Sequence, residues 1–314
     1  MFRIAPPLLG PLFCAVAVTM FATNDATMKH LSDDYALHQL VSLRSVLGSI
    51  IVLGIMAPLA GGWRVLRTQR LGLHLLRAGF VFFANLCFFL GIAALPLAEA
   101  TAIFFVAPFL ISVFSVVFLG ETVGPHRWAA IGFGFLGVVI VLRPGTEAFQ
   151  PAALYPIGAA IGYSALHILT RRMRNTDNAV SMVFYIQVFF LAAGVAMGLA
   201  FGDGRFSDTP DPSLAFLFRA WVVPTVADWP FIIALSVFAT VGGYCISQAY
   251  RLGEAALVAP VEYLTLPLSI LLGAAIFGEW PDAVAWVGIA LIIASGLYTI
   301  WRDNRARHLA ETFE

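Results

Sequence analysis

Two stretches decide the fold: EATAIFFVAPFLISVFSVVFLGETVGPHRW at residues 99–128 and EAALVAPVEYLTLPLSILLGAAIFGEWPDAVAW at residues 254–286. Each opens on Glu-Ala, runs through an apolar segment interrupted by proline and closes on Gly-Glu. Each then reaches a tryptophan seven residues after that glutamate. The closing pairs are Gly120-Glu121 and Gly278-Glu279. The second stretch is three residues longer, so the match is imperfect, but the order of its marks is specific. A long-period repeat changes how everything between its copies is read.

Working outward from these copies, a membrane span takes about 20 apolar residues at a rise of about 1.5 Å each. That length picks out ten segments, at 8–28, 36–59, 73–95, 98–119, 128–142, 152–170, 179–201, 230–250, 255–277 and 283–301. The fifth is short. Most connectors are short and polar, which predicts antiparallel neighbours. The exception is 202–229, rich in Asp and Pro at first and apolar over 214–223, where a surface helix or a loop both fit. The first run could pass for a signal peptide. It lacks a small-residue cleavage site and carries Asn24 and Asp25 where an apolar core should continue, so it counts as a span.

The copies stand five helices apart, and five is odd, so the second must enter the membrane from the opposite side. The expected fold is an all-α polytopic membrane protein with ten transmembrane helices in two inverted five-helix repeats. Residues 1–145 form the first, and residues 146–314 form the second with a cytoplasmic tail. Inverted repeats of this kind underlie alternating access in many secondary transporters.

Composition agrees with a lipid solvent. Of 314 residues, 60% are hydrophobic and 11% charged, against about 45–50% and about 25% in soluble domains. The net charge is zero and gives no basis for nucleic-acid binding. Cys14, Cys87 and Cys245 lie far apart inside apolar runs, without metal-ligand spacing. With the N-terminus cytoplasmic, one side holds Arg3, Arg64, Arg67, Arg70, Arg77, Arg127, Arg171, Arg172, Arg174, Arg251, Arg302, Arg305 and Arg307. The other holds only Lys29, Arg143, Arg205 and Arg219. The positive-inside rule then places both termini in the cytoplasm and the protein in the inner membrane.

A charge at mid-bilayer costs about 2.5–3.5 kcal/mol on insertion scales, so ionisable groups within spans need a reason. Arg44 lies deep in the second span, and Gln187 matches it by depth in the seventh. Either they mark a central site, or Arg44 binds backbone carbonyls or Asp25. Asp25 fits an ion-coupling group or a side chain snorkelling to the interface. His167, one turn from Ser164, fits a proton relay or a packing histidine. Glu262, followed by Tyr263, is the best carboxylate for a cation or proton, and pairing with Arg44 would offset its cost. Pro108, Pro260 and Pro267 are expected to kink the fourth and ninth helices. Asn85, Tyr244 and Gln248 are further candidate cavity linings. Gly132, Gly134 and Gly137 suggest close helix approach.

These pieces together resemble the EamA-type members of the drug/metabolite transporter superfamily. The resemblance rests on Gly120-Glu121, Gly278-Glu279, the closing Leu142-Arg143-Pro144-Gly145, the Ala93-Ala94-Leu95-Pro96-Leu97-Ala98 junction and Arg44. It covers nearly the whole chain, and departs at the long 202–229 connector and at Trp280-Pro281-Asp282. It implies a carrier of a small-molecule solute in the lipid bilayer, with no cofactor, and allows a homodimer. The superfamily includes carriers of amino acids, nucleotide-type metabolites, vitamins such as riboflavin, and drugs. The competing readings are a non-transporting sensor or scaffold, and an intramembrane enzyme. Against the enzyme, the six histidines form no HxxxH, and neither GxSxG nor a Walker A sequence occurs.

Overall fold

A computed structural model describes residues 6–312, apart from 121, 123, 173–177 and 253–254. Helix α1 is Pro6–Leu31, and α2 runs from Leu37–Ile51 through a wider turn, Val52–Met56, into Ala57–Leu59. Helix α3 is Leu71–Ala94, and α4 has two pieces, Leu97–Phe104 and Ala107–Leu119. Then come α5 (Pro125–Leu142), α6 (Leu154–Arg172), α7 (Ala179–Phe201) and α8 (Trp229–Leu252). Helix α9 again has two pieces, Ala255–Glu262 and Thr265–Phe277, and α10 is Ala283–Thr312. Among the described residues there is no strand, and nine helices are long and apolar enough to cross a membrane. The apolar run of α5, Trp128–Leu142, is shorter.

The two quoted stretches break alike. In α4 the turn falls at Phe105 and Val106; in α9 it falls at Tyr263 and Leu264. Pro108 and Pro267 sit just beyond, in the first turn of each second piece, where a missing N–H is no loss. Pro260 behaves otherwise than expected. The chain stays helical through it, and the break comes only after Glu262. Both second pieces end on a left-handed glycine, Gly120 at φ 68° and Gly278 at φ 69°, a conformation that favours glycine. At the second, the N–H groups of Gly278 and Glu279 close onto the carbonyls of Ala274 and Gly273. Glu121 lies outside the described residues.

Packing sets which faces meet. Helix α1 packs on α8 and α9, and α6 packs on α3 and α4. Helix α2 packs on α7 and α8, and α7 on α2 and α3; α4 meets α9, and α5 meets α10. The α5/α10 crossing is a glycine pair: a Cβ on Gly137 would stand 2.8 Å from the Gly288 carbonyl, and one on Gly288 would stand 2.7 Å from that of Gly137. Gly134 instead seats the Phe109 ring, whereas Gly132 faces open space and makes no close approach. Phe133, Leu199, Leu271 and Val287 point outward and exposed, as a hydrocarbon solvent permits.

The long connector is ordered. Its helix is Pro212–Phe218, earlier than the 214–223 window, and its N-cap Asp211 accepts from the N–H groups of Ser213 and Leu214. Phe216 is buried, and the Ser213 hydroxyl donates to the Leu90 carbonyl at 2.7 Å. From Arg219 the chain runs without helix over the bundle. Gln39 pairs with both backbone groups of Val222, and the Trp221 indole donates to His38. The Thr225 N–H donates to Tyr35, whose hydroxyl donates to Asp228 at 2.5 Å. The Thr225 hydroxyl and then that of Tyr35 donate to the Asp228 carboxyl and hold it below its usual range.

Candidate functional site

Arg44 lies about 10 Å along α2 from its Leu37 end, at 1.5 Å per residue. It is only 3% exposed. Its guanidinium sits between two rings, 5.5 Å from the centroid of Phe89 on α3 and 5.3 Å from that of Phe190 on α7. Such contacts favour a cation, and more so when water is excluded. Among the described residues Arg44 makes no side-chain hydrogen bond, and its Nε is buried without a partner. Asp25 of α1 lies within electrostatic range of it. Asp25 is half-buried and accepts a 3.1 Å hydrogen bond from the amide of Asn24. The Asn24 carbonyl oxygen is itself buried and unpartnered.

Gln187 stands farther along the α2/α7 contact. Its amide donates to the Thr240 hydroxyl of α8 at 2.8 Å, and it fills the notch left by Gly48, one turn beyond Arg44. Asn85 donates to the Val81 carbonyl at 3.0 Å and borders a small apolar pocket with His38, Phe82 and Phe190. Tyr244 and Gln248 bond to each other along α8 at 2.9 Å, near its far turns.

Glu262 is not brought to Arg44, so the offsetting pair does not form. It ends the first piece of α9 and accepts a hydrogen bond from the Tyr250 hydroxyl of α8. Its charge also reaches Tyr163, Tyr263 and Cys14. Tyr163 makes edge contacts with Phe104 at 5.3 Å and with His167 at 4.5 Å, so the histidine joins an aromatic wall. Tyr263, in the α9 break, packs at 5.1 Å and a 39° tilt against Phe105, in the α4 break, and its ring lies over Gly296.

At the end of the bundle away from the termini, two ion pairs tie helices distant in sequence. Lys29 of α1 meets Glu279 at 2.8 Å and donates to the Leu95 carbonyl at 2.6 Å. The second Glu279 oxygen accepts from the Leu97 N–H at 3.0 Å, capping α4. Arg143, the one non-glycine residue with positive φ among those described, closes α5 and pairs with Asp282. That guanidinium and the Ala285 N–H hold the Asp282 carboxyl below its usual range.

Sequence reasoning missed Asn24, Tyr163, Tyr250 and the Lys29 contact. The tyrosines carried no signal among many aromatics, but Lys29 is the only lysine of the chain's far-side connectors, and its solitude could have flagged it.

Comparison with known proteins follows the same outline. The profile of the EamA-like transporter family matches residues 8–143 and again 150–301. A riboflavin transporter of Vibrio cholerae is 28% identical over 308 residues, covering 96% of this chain and 96% of its own length. An S-adenosylmethionine uptake transporter of Rickettsia bellii is 27% identical over 285 residues, covering 91% of each. A solved crystal structure superposes with a TM-score of 0.63 at 22% identity, over 97% of this chain and 99% of its own, a likeness of fold alone.

Proposed function

The chain belongs to the EamA-like transporter family, and from that premise we propose that this multi-pass small-metabolite transporter works by alternating access between two inverted five-helix halves. The observation that carries the proposal is the packing order. Raising each helix number by five, counting α1 after α10, turns the most extensive of these helix contacts into one another, although smaller ones such as α7/α8 and α1/α3 have no counterpart. The α1/α8 contact becomes α6/α3, α1/α9 becomes α6/α4, and α2/α8 becomes α7/α3. The α2/α7, α4/α9 and α5/α10 contacts map onto themselves. The matched breaks and left-handed glycines of α4 and α9 support the same relation. We divide the halves at 1–145 and 146–314, with both termini on the cytoplasmic side of the inner membrane, as the arginine bias requires.

The solute path runs between the halves. Arg44 and Asp25 line it toward the outer face, and Glu262 and Tyr263 line it toward the cytoplasm. The Lys29/Glu279 and Arg143/Asp282 pairs join first half to second at the outer end, and in this reading they are the ties that hold that end closed. Opening outward requires both to part. Relatives named for riboflavin and S-adenosylmethionine make those two compounds the first solutes to assay, alongside metabolite profiles of cells with and without the protein. The test is to bridge Lys29→Cys to Glu279→Cys with a short bifunctional thiol reagent. Transport should stop on bridging and return on reduction. Undiminished transport by the bridged protein would contradict the proposal.

A further inference from the structure

The surroundings of Arg44 contain too few acceptors for its donors. A guanidinium carries five N–H groups in a rigid fork suited to a planar anion. Here Phe89 and Phe190 fix its position, its Nε is buried without a partner, and no described side chain accepts from it. The neighbouring carboxylate, Asp25, is engaged by the Asn24 amide. The Asn24 carbonyl oxygen, also buried and unpartnered, offers an acceptor to any protonated group placed there.

Charge counting sharpens this. A cation buried in the membrane needs one counter-anion, because an uncompensated charge there is costly. Among the described residues, no charge but Arg44 acts on Asp25, and no charge but Asp25 acts on Arg44. The titratable groups on their own helices and those packed around them include Cys14, Lys29 and His30 on α1, His38 on α2, His74, Arg77 and Cys87 on α3, Tyr185 on α7, Tyr244, Cys245 and Tyr250 on α8, and Glu262 and Tyr263 on α9. None of these acts on either residue.

Resting on the carrier reading above, we propose that Arg44 and Asp25 form an oxyanion site in which an anionic oxygen group of the solute binds the unpartnered guanidinium while Asp25 takes up one proton from water. The charge of the site is the same before and after: one guanidinium and one anion. Anion and proton therefore bind together, one to one. Arg44 grips the anion, and Asp25, once neutral, donates to the solute or to Asn24.

The experiment uses the full-length protein purified in detergent. Its thermal unfolding is followed with formate, acetate or benzoate, each against equal chloride, since a ligand of the folded state raises the unfolding temperature. In the wild type, one-to-one linkage predicts that anion affinity rises by about tenfold for each unit of pH lowered while Asp25 is charged in the free protein. Asp25→Asn should bind these anions more tightly than the wild type at pH 8, and with equal strength at pH 6 and pH 8. The double variant Asp25→Asn with Arg44→Met, which keeps the site neutral and so folded, should respond to none of them. The proposal is overturned if Asp25→Asn responds to these anions no more than to chloride, or if the double variant responds as Asp25→Asn does. Should that happen while bridging at Lys29 and Glu279 still arrests transport, the anion site falls and the carrier stands.

Discussion

Two polar pairs within the spans divide the bundle between them, and they are built differently. Arg44 and Asp25 are opposite charges on α2 and α1, set among Phe89, Phe190 and Asn24. Glu262 has a neutral partner, the Tyr250 hydroxyl, and a wall of rings at Tyr163 and Tyr263. The first pair is neutral as a unit, so each member depends on the other for its place in the membrane. The second carries a net charge whenever its carboxyl ionises, so it is suited to take a proton or a cation and to let it go. Depth in a helix makes a charge expensive, and the partner decides what it can do.

The largest effect should come from breaking the charge pair. Arg44→Met strands Asp25 and should lower stability in detergent by about 3 kcal/mol. Adding Asp25→Asn should restore more than half of that, as read by thermal unfolding. If the double variant is no more stable than Arg44→Met, the two do not compensate each other. Glu262→Gln should behave in the opposite way. An amide oxygen still accepts from Tyr250, so stability should change by no more than about 1 kcal/mol. Transport of the identified solute should nonetheless fall by about tenfold, equivalent to 1.4 kcal/mol; full activity would remove Glu262 from the path.

Smaller still is Tyr250→Phe. Losing the hydroxyl leaves the Glu262 carboxylate one donor short, which should cost about 1 kcal/mol and reduce transport a few-fold. The smallest change expected is Thr240→Val, between the two sites. It removes the partner of the Gln187 amide, and should lower the unfolding free energy by about 1 kcal/mol while leaving transport alone. A transport defect as large as that of Glu262→Gln would instead extend the path through Gln187.

Span length and hydropathy made the helices legible, because lipid forces every backbone group of a span into its own helix. The connector helix was displaced by a few residues, since Asp211 and Pro212 start it and the apolar residues after Phe218 lie extended instead. Arg44 and Glu262 stood out because charge within a span is rare. Their partners did not. Asp25 near a span end fitted snorkelling as well as pairing, and Tyr250 near a helix end looked like many interfacial aromatics. Glu279 was visible in its Gly-Glu motif, but nothing local tells that its carboxylate crosses to Lys29 and the Leu97 N–H. Such contacts join residues distant in sequence, and a single sequence read alone gives them no signature. Pro260 shows a related limit: the chain stays helical through it and breaks only at Tyr263 and Leu264, so a proline's presence did not locate the break.

The opposed threading of the two halves is tested most directly at the turns that close α4 and α9. Thr122 and Trp280 are both exposed there. In intact cells a membrane-impermeant maleimide should label Trp280→Cys at once and Thr122→Cys only after the membrane is permeabilised. Labelling of both from the same side would contradict the account.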